Sequence, residues 1–482
     1  MKVDYSKFPD IPPGYSTNYN KIRNVYQVYR DYRVFDESLG KTVTRRETIG
    51  QIKDGKFTYS KLYLARKKNA ELEQKLTSGS QQRHDKSKEL AAKLNKAVKE
   101  TQLDQRQQAK VIYPIEPIVL AALVSALAGE TDCVAICQLL NEKVDFFRGL
   151  YPSLPKQPIT HDVVYRSLLK IKAEQFDQFY QRFIERLVRK SSGKVLAGDG
   201  QACRATGRNT EASDKRGAYM LMNFYDSSSR VCLSQMIIAD KTNEITVGPK
   251  MIDAMDVRDC IITADAMSCQ MSFVNSVLAG GADYCLAVKG NQDKSFKELR
   301  SLFMTTHDDQ IEVHCDEVEL DHGRIEKRTV SLIDGHLLSA PLRQKWQGLE
   351  QGCIVRIRSQ RTFKSSGHTQ TDERFYISSL PADERSAQRL GEISRAHWSV
   401  ENRLHWVLDM HFDQDRMQAV DPDYISNRVA LNKLALAMLE NYRYWLWECG
   451  KTCDVLSIKA AMRHCHNFDN ALNCIAWSQG IV

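Results

Sequence analysis

The chain has 482 residues, 42% of them apolar, which is enough for two to four domains and at least one substantial core. Its formal charge of +8 is uneven: residues 1–110 hold 24 Lys and Arg against 13 Asp and Glu, while the rest of the chain sums to −3. A basic front on a near-neutral body favours a polyanionic partner. Thirteen cysteines with no CxxC pair, behind a start with no charged-then-apolar leader, read as a reducing cytoplasm rather than a disulfide-framed secreted domain. The longest apolar run, Ile118 to Ala128, is about half of the ~20 residues a membrane span needs.

From Val25 to Phe35, Tyr26, Val28, Tyr32 and Val34 alternate with polar residues, and a similar run from Thr42 to Tyr59 passes Gly50 and the Asp54-Gly55 turn signal. The pattern predicts a small antiparallel sheet, decorated by Arg23, Arg30, Arg33, Arg45 and Arg46. Residues 66–110 are basic, with little apolar periodicity beyond Leu90, Leu94 and Val98, and read as a mobile helical linker. Between Pro114 and Lys190 the pattern is helical: Pro117 opens one helix that Gly129 ends, Thr131 or Asp132 caps a second, and Thr160 caps a third. Short helices broken by a glycine turn fit a helix-turn-helix reader of a duplex groove, and fit a plain bundle equally well.

After Gly193 strands are expected at Val195 to Ala197, Tyr219 to Tyr225 and Val231 to Ile238. A helix from Val247 to Met255, a strand from Cys260 to Ala264, a helix from Ser268 to Leu278 and a strand from Tyr284 to Val288 follow. Three strands and then alternating helix and strand is the order of a ribonuclease H-like α/β fold. The stretch from Asn291 to Pro381 is rich in strand signals and reads as a β-rich insertion. A long helix from Ala387 to Met410 closes the pattern, with an apolar seam at Leu390, Ile393, Val400, Leu404 and Val407.

Two acids fall at predicted strand ends, Asp199 in Leu196-Ala-Gly-Asp-Gly200 and Asp265 in Ile261-Ile-Thr-Ala-Asp265, and Glu401 borders the seam of the long helix. Carboxylates at strand ends are rigidly held where the sheet meets solvent. Three of them converging would repel one another unless a hard cation such as Mg²⁺, or Mn²⁺, sat between them. Two such ions would serve in-line displacement at phosphorus.

The phrases Asp199-Gly200, Asp265-Ala-Met-Ser-Cys-Gln270, Tyr284-Cys-Leu-Ala-Val-Lys-Gly-Asn-Gln292, His322-Gly-Arg-Ile-Glu326, Tyr376-Ile-Ser-Ser-Leu380 and His397-Trp-Ser-Val-Glu-Asn-Arg-Leu-His-Trp-Val-Leu-Asp409 resemble, in order, the DDE-type insertion-sequence transposases of the H-repeat-associated protein group. The resemblance runs from about Tyr113 to Asp415. It implies a ribonuclease H-like catalytic core with a β-rich insertion, preceded by a helical domain and a small β-rich amino-terminal domain. By the family's motif, Asp199, Asp265 and Glu401 are the catalytic and metal-binding acids. The implied partner is double-stranded DNA, at element ends and target, gripped by a synapsed homodimer at least, in the cytoplasm and on the nucleoid. Arg204, Lys289, Asn291, Arg324, His397 and Arg403 are the expected DNA contacts. Gln201 departs from the lysine that related transposases carry after the first Asp-Gly.

The expected parts are a basic β-rich region over 1–65, a basic helical linker over 66–110 and a helical DNA-binding domain over 111–190. The core begins over 191–290, the insertion covers 291–385, the catalytic helix and end of the core cover 386–446, and a helical tail covers 447–482. The alternatives are a catalytically silent DNA-binding descendant and a structure-specific nuclease. His397, Glu401, His405 and Asp409, four apart on one helix, resemble a di-iron face only if partner helices carry matching motifs, and none does. Cys449, Cys453, His464 and His466 match no zinc-finger spacing. Asp409, Asp413 and Asp415 compete with Glu401 for the third acid if the helix register differs.

Overall fold

Alternating aromatic and β-branched residues form the first sheet, which has strands β1 (Ser16–Asn20), β2 (Val25–Asp36), β3 (Lys41–Lys53) and β4 (Lys56–Tyr59), antiparallel in that order. The computed structural model describes residues 8, 11, 14–20, 24–36, 41–74, 79–188, 193–207, 217–238, 244–315, 318–321 and 324–481. They fall into two units, Met1–Leu94 with Met438–Val482, and Asn95–Ala437.

In the first unit β3 and β4 are joined through Asp54 and Gly55, both at positive φ, the backbone that a two-residue hairpin of this hand requires. Gly50 is needed for a different reason: a Cβ there would stand 2.3 Å from the carbonyl oxygen of Thr58. The buried face of the sheet gathers Val28, Ile49 and Ile52, flanked by Tyr26, Phe57, Tyr59 and Tyr63. Helices Lys61–Gln74 and Gly79–Glu100 follow. Leu90 shares a cleft with Leu472 and Ala476 of the helix Phe468–Ser478, and Lys93 donates to the carbonyl of Gln479 at 2.8 Å.

In the second unit the helix Ile115–Leu127 is buried on nearly every side and forms the centre of a helical bundle. Cys133–Glu142 is capped by Asp132, which accepts from the amides of Val134 and Ala135, and His161–Leu169 is capped by Thr160. Both keep exposed residues.

Among the described residues the large sheet has ten strands: β5 (Val195–Cys203), β6 (Tyr219–Asp226), β7 (Val231–Ile238), β8 (Ile261–Ala264), β9 (Asp283–Val288), β10 (Glu312–Cys315), β11 (Glu319–Asp321), β12 (Arg324–Asp334), β13 (Cys353–Phe363) and β14 (Thr369–Ser378). Their order is β10-β12-β13-β14-β9-β8-β5-β6-β7, with β11 also pairing β12. Among the described residues, only β5, β8 and β9 run parallel to one another. These three are apolar along both faces because both are covered. Leu196, Ile262 and Tyr284 face one layer with Phe224, Phe273 and Trp346, while Val195, Ile261 and Cys285 face the other with Ala387, Leu390 and Ile393.

The strands expected as an insertion extend this same sheet, since β14 pairs antiparallel with β9 from Phe375↔Val288 to Ser378↔Cys285. The stretch also opens with a helix, Asp293–Thr305, that strand propensity alone hides. Its buried Leu299 and Phe303 belong to the same core as Phe375.

Candidate active site

Asp199 and Asp265 are neighbours by construction. Gly198 and Ala264 are register partners on the parallel strands β5 and β8, roughly 4.8 Å apart, so the residue after each stands at the same level of the sheet. Strand β8 stops at Ala264, but β5 runs on to Cys203 with Asp199 paired to Asn223 of β6, so Asp199 sits within its strand and not at the strand end expected from the sequence. Both side chains are half-buried. Asp199 accepts from the amide of Gly200 at 2.9 Å, and Asp265 from those of Met267 at 3.0 Å and Ser268 at 3.3 Å. The short loop after Asp265 pins that carboxylate at its base, while Asp199 is held by the strand it belongs to.

The helix opposite is not uniform. Glu384–Ser399 is α-helical, Val400–His405 winds as a π-helix and Trp406–His411 returns to α. Within the wide turn the amide of Trp406 donates to the carbonyl of Glu401. Wide turns of this kind recur at functional sites. Val400 and Leu404 are buried while Glu401 and Arg403 are exposed. His405 Nδ1 lies 3.4 Å from Asp199 Oδ2, and its Nε2 meets the Asn223 amide nitrogen at 3.1 Å. Burial, with Lys433 in support, pulls His405 down to about 3, so this ring is neutral. Burial likewise pulls His397 down to about 4, opposed by Asp265 and reinforced by Lys289 and Arg374.

Glu401 lies four residues from each of these histidines, of which His405 touches Asp199. No group of three or more His, Cys, Asp and Glu stands preassembled as a metal cage among the described residues.

Gln201 is buried and donates to Asp409 Oδ1 at 3.1 Å, tying β5 to the helix beyond the π turn. Burial and Asp415 push Asp409 up to about 6, opposed by Arg204 and Gln201. Arg204 is exposed and pairs with Asp415 at 3.2 Å. Lys289 is exposed immediately after β9.

Asn291, expected to face substrate, donates its amide to the carbonyl of Ala266 at 2.6 Å, and Gln292 donates to that of Cys269 at 2.8 Å. Both brace the loop that follows Asp265. Arg324 begins β12 beside buried Glu326, which also draws in Arg328 and Arg361. Four strand spacings separate β12 from β8, on the order of 20 Å, so Arg324 is not brought to the acids. His322 and Gly323 lie outside the described residues.

Sequence reading missed Asn223, Gln235 and Lys433. The available signal was Asn432-Lys433 inside an apolar helix, since a charge in such a run must be buried with partners.

Residues 190–438 match the family model described as Transposase DDE domain, and residues 101–184 match its associated region. The chain is 26% identical over 344 residues to "Putative transposase YncI" of Escherichia coli O157:H7, covering 70% of this chain and 85% of that one. It is 27% identical over 318 residues to "H repeat-associated putative transposase YhhI" of Escherichia coli strain K12, covering 65% and 81%. A solved piggyBac transposase synaptic complex with hairpin DNA overlaps 82% of this chain and 80% of that one at 12% identity and a TM-score of 0.39. The overlay is too loose to bear on the fold. Both acid-bearing strands and the helix that faces them lie inside the matched span, and the chain is a transposase of the DDE domain family.

Proposed function

We propose that the chain is the DNA transposase of an insertion sequence, cutting and joining phosphodiester bonds at a ribonuclease H-like site whose acids are Asp199, Asp265 and Glu401. One observation carries the assignment: Asp199 and Asp265 directly follow the register partners Gly198 and Ala264 on parallel strands, and Glu401 lies midway in sequence between His397 and His405, the latter 3.4 Å from Asp199. The donor set fits Mg²⁺ or Mn²⁺, because it is all carboxylate oxygen and leaves an open side for water and phosphate. When bound, divalent ions supply a polarised attacking oxygen and a stabilised leaving oxygen. The chain's own part is to hold the acids. The Gly200, Met267 and Ser268 amides fix the two aspartates, and Asn291 and Gln292 brace the loop behind Asp265.

Arg204, Lys289 and Arg403 are exposed beside this edge and suit backbone phosphates of double-stranded DNA. Two ends cut in concert call for at least a homodimer when synapsed. Gln201, where relatives of this type carry lysine, has a structural task in holding Asp409, so its presence does not argue for a silent enzyme. DNA carrying the element's ends, incubated with protein and Mg²⁺, is expected to yield nicked ends and joined products. Cleavage that survives Asp199→Asn, Asp265→Asn or Glu401→Gln overturns the assignment, and cutting with no joined product and no end preference favours a nuclease.

A further inference from the structure

Behind Asp199 runs a chain of hydrogen bonds whose direction is set from its far end. Asn223 on β6 and Gln235 on β7 are register partners. The Gln235 amide nitrogen donates to the carbonyl of Ser426 at 2.9 Å and meets the Ser426 hydroxyl at 3.2 Å. A carbonyl only accepts, so the Gln235 amide has one orientation and turns its oxygen inward. That oxygen accepts from Lys433 Nζ at 2.8 Å, and the Asn223 amide oxygen accepts from the same nitrogen. The Asn223 nitrogen must then face His405 Nε2, where it donates. His405 is thereby left with its proton on Nδ1, directed at Asp199 Oδ2. Asn223 and Lys433 are almost wholly buried, at 0% and 2% exposure, and so are shut off from bulk solvent.

We propose that Lys433, Asn223 and Gln235 are positioning residues that lock the tautomer of His405 and, through it, the orientation of the Asp199 carboxylate. The inference rests on the reading of Asp199 as a catalytic acid. Partners behind a metal-binding carboxylate usually change metal affinity or activity by about 10–100-fold.

Asn223→Asp is the sharpest test, because it keeps the shape and the Lys433 partner but turns the donor toward His405 into an acceptor. His405 must then carry a proton on Nε2, and it either turns a lone pair to Asp199 or becomes an imidazolium between two carboxylates. In full-length protein, ¹⁵N imidazole spectra assigned with His405→Gln are expected to show Nδ1–H in the wild type and Nε2–H in Asn223→Asp. The Mg²⁺ concentration for half-maximal strand cleavage is expected to rise by about 10–100-fold, with DNA affinity in EDTA unchanged. Gln235→Ala, at a half-exposed position, is a second variant should the first misfold, and its Mg²⁺ requirement is expected to rise in the same direction. An unchanged tautomer and Mg²⁺ requirement in folded Asn223→Asp, or a wild-type Mg²⁺ requirement in Gln235→Ala, overturns the positioning role. If Asp199→Asn still cleaves, the assignment of Asp199 itself fails; if it is dead while the positioning variants behave as wild type, only the hydrogen-bond chain is refuted.

Discussion

Acid is expected to destabilise the second unit of the metal-free protein through its two buried imidazoles. His405 is held near 3 and His397 near 4, both chiefly by burial, whereas an exposed histidine titrates at 6.5. Below that value the unfolded chain binds protons that the folded chain refuses, so stability falls with pH. Between about pH 8 and about pH 5 each ring loses about 2 kcal/mol, or about 4 kcal/mol together. Asp409 acts in the opposite sense: burial and Asp415 raise it from 3.8 to about 6, so the folded chain takes up a proton first as pH falls. By about pH 5 this returns about 1 kcal/mol, leaving a net loss of about 3 kcal/mol. Urea unfolding at each pH in EDTA measures the loss directly, and comparing variants cancels every group they share. The loss is expected to shrink to about 1 kcal/mol in His397→Gln and to grow to about 4 kcal/mol in Asp409→Asn. Three parallel pH curves would refute the burial argument for both residues.

Three further outcomes follow from packing and charge. A Cβ on Gly352 would stand 2.1 Å from the carbonyl oxygen of Ser378, backbone against backbone, so Gly352→Ala should cost about 3 kcal/mol or more; an unchanged urea midpoint contradicts it. Leu390→Ala empties a fully buried position where the helix Glu384–Ser399 meets the sheet. A loss of about 2–5 kcal/mol is expected, and a melting temperature within a degree of wild type would count against this contact. Arg204 is 78% exposed, and its pair with Asp415 contributes less than about 1 kcal/mol, so Arg204→Ala should leave thermal stability alone. Its slope of log DNA affinity against log salt should fall by about 1 if it touches a phosphate, and an unchanged slope removes it from the DNA surface.

The parts of this protein that were legible in its sequence are those governed by local repeats. Val195 and Leu196, or Ile261 and Ile262, face opposite layers because a strand alternates, and their apolar pairs announce a sheet covered twice. Asp265 stood out because it follows the end of such a run, and Asp199 because it interrupts one, although β5 continues past it to Cys203. The caps at Asp132 and Thr160 were legible because a cap is satisfied within three residues. What stayed hidden is set by distance along the chain or by a change of helical pitch. Nothing in the run Glu312 to Ser378 says which edge it joins, because that depends on β9 accepting β14. The Lys433–Asn223 bond spans 210 residues. A seam drawn with an ordinary helical period through Leu390, Val400 and Leu404 also misses the π turn.

That turn matters for how the third acid is reached. Under an even α-helical register Asp409 or Asp413 competes with Glu401 for the same edge. In the folded chain the wide turn starts at Val400 and delivers His405 to Asp199, while Asp409 is already held by Gln201. An acid already held by a buried amide is less free to turn to a metal ion than an exposed glutamate with no such tether. Restoring the α-helical count by deleting one residue of the turn would rotate Glu401 relative to the buried seam. Cleavage should then be lost while DNA binding in EDTA persists. A deletion variant that folds and still cuts would return the role to Asp409.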